Sequence, residues 1–96
     1  MATDGKEEQK RYEYSNKCVY DGMWLGNRRH GRGTFTWPSG AQYEGDFKYD
    51  RRQGEGKITY QDGALYQGSW KSDQRDGHGR YVFQSGAKYE GEFRDD

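Results

Sequence analysis

The order Tyr-x-Gly-x-(Trp/Phe) stands four times in this chain at a constant interval of 23 residues: Tyr20 to Trp24, Tyr43 to Phe47, Tyr66 to Trp70 and Tyr89 to Phe93. No residue is gained or lost between copies. A fixed period of this size marks a small supersecondary unit stacked on copies of itself, not a single core with loops of varied length. Other positions keep the same register. Gly31, Gly54 and Gly77 align, as do Gly33, Gly56 and Gly79, and then Gly40, Gly63 and Gly86. Phe35, Ile58 and Tyr81 share one position, and Trp37, Tyr60 and Phe83 share another. One period earlier, Tyr12 and Tyr14 fill those last two positions, so residues 11–19 read as a half-unit lacking its glycines. Full units follow at 20–42, 43–65 and 66–88, with a second half-unit at 89–96. Residues 1–10 carry no pattern and read as a flexible tail.

Inside a unit the apolar residues alternate with polar ones, the period of a strand with one buried face. Tyr20, Gly22 and Trp24 point one way and Asp21, Met23 and Leu25 the other. Gly33, Phe35 and Trp37 repeat the pattern, opposite Arg32, Thr34 and Thr36. Each unit is therefore a two-stranded hairpin. Its short connection, Pro38-Ser39-Gly40, returns as Gln61-Asp62-Gly63 and Gln84-Ser85-Gly86, which fits a type I turn followed by a glycine at positive φ. The stretch from Gly26 to Gly31 is longer and polar, and reads as the mobile loop. The predicted fold is all-β, an antiparallel meander of seven or eight short strands forming an elongated single-layer twisted sheet. Strand glycines such as Gly22 are unfavourable unless an aromatic ring from a neighbouring strand lies flat across the bare backbone.

Composition fixes what must fill the core. Only 29% of residues are hydrophobic and 33% are charged, a balance that would leave a chain unfolded were 17% not aromatic, so the rings must supply the buried surface. Sixteen basic and sixteen acidic side chains cancel, which removes the field expected of a nucleic-acid partner. No apolar run reaches the roughly 18 residues of a membrane span, and the polar start does not resemble a signal peptide, so a cytoplasmic location is expected. The single cysteine, Cys18, aligns with Ala41, Ala64 and Ala87 and reads as a small packing residue.

The Tyr-x-Gly-x-Trp core, a variable stretch, then His-Gly-x-Gly and a glycine turn resemble the MORN (membrane occupation and recognition nexus) repeat. The unit from Tyr20 matches most completely, through Gly22, Trp24, His30, Gly31, Gly33 and Gly40, whereas later units replace the histidine by Gln53 and Asp76. The resemblance covers residues 11–96. It implies an elongated hairpin array without catalytic activity that holds other proteins or brings a protein to a membrane or the cytoskeleton. A cytoskeletal or ciliary assembly is the expected setting.

The residues themselves offer little chemistry for catalysis. His30 and His78 occupy different repeat positions and have no cysteine or second histidine at ligand spacing, so neither a metal site nor a cofactor is expected. Paired glycines such as Gly31 and Gly33 are followed by no helix and no phosphate-binding lysine. Two surfaces are candidates. The first is the aromatic face, a groove for a helix or an extended protein segment formed by Tyr20, Trp24, Trp37, Tyr43, Phe47, Tyr60, Tyr66, Trp70, Phe83, Tyr89 and Phe93. The second is the basic loop of Arg28, Arg29 and Arg32, suited to an anionic phospholipid or an acidic partner, although its charge does not repeat in the later units. Residues 89–96 form half a hairpin and suggest an end-to-end contact with another subunit.

Overall fold

The computed structural model describes residues 7 to 94. Eight strands follow one another along the chain: β1 Glu7–Glu13, β2 Val19–Leu25, β3 Arg28–Thr36, β4 Gln42–Lys48, β5 Arg51–Thr59, β6 Leu65–Lys71, β7 Gln74–Val82 and β8 Lys88–Phe93. They form one antiparallel sheet in sequence order, each strand paired only with its chain neighbours. The meander inferred from the repeats is therefore the fold, with no helix among the described residues. Its principal extents are 52 × 27 × 17 Å. The tail is shorter than its lack of pattern suggested. Glu7 to Glu13 pair with Leu25 to Val19, although every side chain of β1 is exposed. Backbone pairing, which any residue type can supply, holds these residues in the sheet without an apolar period to announce it. The rest of the predicted tail, residues 1–6, lies outside the described residues.

Two kinds of turn alternate. At the Pro38 end, Gly40 N–H donates to the Trp37 carbonyl at 3.0 Å, Trp37 N–H donates to the Ala41 carbonyl at 2.9 Å, and Gly40 takes φ of 98°. This is the expected type I turn with a left-handed glycine, repeated at Gly63 and Gly86. The other end contradicts the long mobile loop read over Gly26 to Gly31. Only Gly26 and Asn27 turn, and β3 begins at Arg28. The equivalent Tyr49-Asp50 and Ser72-Asp73 have φ of 48° and 74°, and 49° and 71°, the type I′ geometry that suits the twist of a tight hairpin. What broke the alternation is a bulge. Gly22 faces Gly33 and Trp24 faces Arg29, so His30, Gly31 and Arg32 all lie opposite Met23. Gly31 absorbs the excess with φ of 101°.

Register places seven glycines in one row across the sheet: Gly22, Gly33, Gly45, Gly56, Gly68, Gly79 and Gly91, each opposite the next. The ring of Tyr20 lies over the Gly22 and Gly33 pair, Tyr43 over Gly45 and Gly56, and Tyr66 over Gly68 and Gly79. A methyl group on Gly33 would overlap the Tyr20 phenol. The covering ring thus comes from two residues earlier on its own strand and reaches across to the neighbour. Each hydroxyl then donates to a carbonyl three residues on: Tyr20 to Met23 at 2.7 Å, Tyr43 to Asp46 at 2.8 Å and Tyr66 to Ser69 at 2.8 Å. One period before Gly33, the row reaches Lys10 on β1, which stands opposite Gly22.

Candidate functional site: the aromatic face

The rings on the glycine-bearing face divide into two rows. The inner row is a continuous spine of near-perpendicular contacts, Trp24, Tyr20, Phe47, Tyr43, Trp70, Tyr66, Phe93 and Tyr89 in spatial order, with centroids 4.8 to 5.3 Å apart. Edge-to-face packing sets the positive rim of one ring against the negative face of the next. Tyr20, Tyr43 and Tyr66 are wholly buried, and Trp24, Phe47 and Trp70 are nearly so. Ile58 joins them, while Cys18 is buried as the small packing residue its alignment with alanine implied. Desolvation raises the proton affinity of the buried phenols. Tyr20 is pushed up to about 12 against the opposing charge of Arg29. Tyr43 and Tyr66 are raised by the same cause, with Asp46 and Glu55 respectively adding to it.

The outer row runs beside the spine. Tyr14, Phe35, Trp37, Tyr60 and Tyr81 pack against the core but keep part of their surface in solvent, and Phe83 is 47% exposed. The aromatic residues singled out from sequence therefore separate by role. Tyr20, Trp24, Tyr43, Phe47, Tyr66 and Trp70 are the interior of the sheet, Trp37, Tyr60 and Phe83 lie on its accessible flank, and Tyr89 and Phe93 close the spine at β8. Phe93 is partly buried and Tyr89 is 45% exposed.

An arginine enters this face at each repeat. Arg29 lies over Phe35 and Phe47, at 5.1 and 5.6 Å from the ring centroids, and Arg52 over Trp70 at 4.7 Å. Arg75 lies over Tyr81 and Phe93 at 5.4 and 5.7 Å. The first two are fastened by the turn of the following hairpin. Asp50 Oδ1 accepts from the Arg29 backbone N–H at 2.8 Å and from Nε at 3.2 Å, and the Asp50 carbonyl accepts from Nη2 at 3.0 Å. Asp73 holds Arg52 in the same way at 2.9, 3.2 and 2.9 Å. A smaller contact accompanies each clasp: Tyr49 N–H donates to His30 Nδ1 at 3.2 Å, and Ser72 N–H to Gln53 Oε1 at 3.1 Å. His30 and its counterpart thus serve the turn.

The basic loop is consequently not a loop and not one patch. Arg28, Arg29 and Arg32 all belong to β3, and the bulge leaves Arg29 on the aromatic face, opposite Trp24. Arg28 pairs with Leu25, and Arg32 pairs with Asp46 in register and approaches its carboxylate at 3.7 Å. Reading the arginines as a local cluster concealed a periodic signal, because Arg29, Arg52 and Arg75 recur at 23 residues, as do Asp50 and Asp73.

Between the rows and the clasps lie two hollows. One, of about 370 Å³, is bounded by Tyr12, Tyr14, Trp24, Asn27 and Arg29. The other, of about 190 Å³, is bounded by Phe35, Trp37, Phe47, Asp50 and Arg52. The second set is the first moved on by one repeat, and Arg29 with Asp50 lines both as a shared wall. Among the described residues no group of three or more His, Cys, Asp or Glu is placed to hold a metal ion.

Hairpins stacked in one open sheet, sealed by a ring-over-glycine row, define a β-hairpin repeat array. A model of the MORN repeat matches residues 20–42, 43–65, 66–88 and 89–96, and the chain belongs to that family. These repeats are non-enzymatic modules of protein and membrane interaction. No curated protein matches the chain at a significant level.

Proposed function

We propose that the chain is a non-catalytic scaffold or adaptor that binds a segment of a partner protein along the outer aromatic row. The observation that carries this reading is the uneven burial of the rings. The inner spine is buried, yet Trp37, Tyr60, Tyr81 and Phe83 remain partly or largely exposed, and Trp37 borders one of the two hollows on the same face. Contiguous accessible aromatic surface next to desolvated arginine is the composition of an interaction hot spot. Trp37→Ala and Phe83→Ala test it, since neither side chain is in the buried spine. Both variants are expected to keep the sheet signal in circular dichroism and to lose capture of the partner recovered with the unaltered chain from its native cell. Undiminished capture by the double variant overturns the reading.

The cytoskeletal or ciliary setting rests on the resemblance to the family rather than on this geometry, and imaging of the tagged chain tests it. Binding to anionic lipid draws less support. Arg29 is fastened to Asp50, and Arg32 has a carboxylate beside it. Co-sedimentation with phosphoinositide vesicles that survives Arg28→Ala with Arg32→Ala, or is absent altogether, removes those residues from consideration.

A further inference from the structure

We infer that the occupant of the groove is a proline-rich segment in the polyproline II conformation, carrying an apolar side chain at every third residue. This rests on the groove reading above and specifies its ligand. Three features of the two hollows select this geometry.

The first is pitch. The linings of the hollows are one repeat apart, and one repeat is two strands, so ordinary strand spacing sets them about 9.5 Å apart across the strands. In polyproline II, residues i and i+3 lie on one face about 9.3 Å apart. An extended strand places its same-face residues about 6.7 Å apart and falls out of step. An α-helix offers i and i+7 at about 10.5 Å, but also sets i+3 and i+4 on the same face between them.

The second feature is the wall. Arg29 and Asp50, tied to each other by backbone and side chain, border both hollows. A helix would press its i+3 or i+4 side chain against that wall. A three-fold helix turns its two intervening residues away and leaves the wall clear.

The third is the hydrogen-bond inventory of the rim. The Trp37 indole N–H and the Tyr14 hydroxyl border successive hollows, in matching repeat positions, and neither side chain has a protein hydrogen-bond partner among the described residues. The other tryptophans differ: Trp24 Nε1 donates to the Lys10 carbonyl at 2.8 Å and Trp70 Nε1 to the Gly56 carbonyl at 3.1 Å. Both donors are open to water, so a segment that covers them must supply acceptors in its place. Polyproline II presents carbonyls that no internal bond occupies, and proline offers no competing N–H, whereas an α-helix uses its carbonyls internally.

The test is a titration of the intact chain, isotope-labelled for NMR, with three synthetic peptides: repeats of Leu-Pro-Pro, the same composition with leucines four residues apart, and an amphipathic α-helical peptide. The expected result is saturable shifts of the Trp37 indole and of the Tyr14 and Phe35 resonances with the first peptide, and weaker binding of the second. Trp37→Phe, which keeps the ring and deletes the donor, should weaken the first peptide about five-fold, the effect of one hydrogen bond. Binding that ignores leucine spacing and is unchanged in Trp37→Phe overturns the assignment. Binding of the helical peptide alone at these resonances overturns polyproline II but leaves the groove reading standing. Silence at these resonances with all three peptides defeats both.

Discussion

A glycine under a tyrosine ring is the smallest unit on which this molecule depends. Gly56 has no room for a β-carbon because the Tyr43 phenol already fills that space, and the phenol is held there by its bond to the Asp46 carbonyl. Gly56→Ala must displace the ring from the middle of the spine, and overpacking of this kind costs about 1 to 3 kcal/mol. Denaturant unfolding should show that loss with an unchanged slope. The tyrosines also set an alkaline limit. A folded-state proton affinity raised above the ordinary value near 10 means that the native state binds the proton more tightly than the unfolded chain does. That contribution is complete below about pH 10 and is lost as pH rises through about 12, the value for Tyr20. Titration should therefore show phenolate absorbance from the buried rings appearing together with loss of the sheet signal. Ionisation of all nine tyrosines in a still-folded sheet would contradict it.

At the scale of the hairpin, the clasp converts a neighbouring turn into a fastening. Asp50 accepts from Arg29 across the β3–β4 seam, and Asp73 from Arg52 across the β5–β6 seam. The carboxylates are 43% and 48% exposed, so Asp50→Ala is expected to cost only about 1 kcal/mol. Its clearer mark is local. Hydrogen exchange at the Arg29 amide should accelerate while the Arg52 amide, held by Asp73, keeps its rate. Much of this element is legible in the sequence. The interval of 23, the alternation within strands and the glycine turn at Gly40 follow from steric and periodic rules that act within a few residues. The bulge at Gly31 is not, because three residues facing one destroy the alternation on which strand reading relies, and a polar strand then looks like a loop. The clasp is half legible. Arg29, Arg52 and Arg75 share a register as strict as that of the aromatics, but charge invites reading by local density, and density dispersed the signal. Which rings are interior and which accessible depends on the twist and on the perpendicular stacking of Tyr20 with Phe47, which no sequence period encodes.

For the whole array, each strand hydrogen-bonds only to its chain neighbours and ring contacts reach no further than the next strand but one, so stability passes along the sheet and is weakest where, among the described residues, a strand has one partner and no buried side chain. Amide exchange should accordingly be slowest in β4 and β5 and fastest in β1, whose seven side chains are all exposed. Uniform protection from β1 to β5 would instead indicate a single cooperative unit. The position of Lys10 has a consequence of another kind. At every seam where a tyrosine reaches across to the next strand, it finds glycine at Gly33, Gly56 and Gly79, but on β1 the corresponding residue is a lysine already lying over Trp24 at 5.0 Å. A foreign strand bringing its own tyrosine to the free flank of β1 meets a side chain where it needs bare backbone. Among the described residues no strand pairs with that flank, and Lys10 stands in the way of uncontrolled stacking there. Lys10→Gly should leave the fold intact and produce concentration-dependent self-association in sedimentation velocity, which the unaltered chain resists at that flank. A lysine in a glycine's place would then act as a guard against fibre growth at that margin of an aromatic sheet.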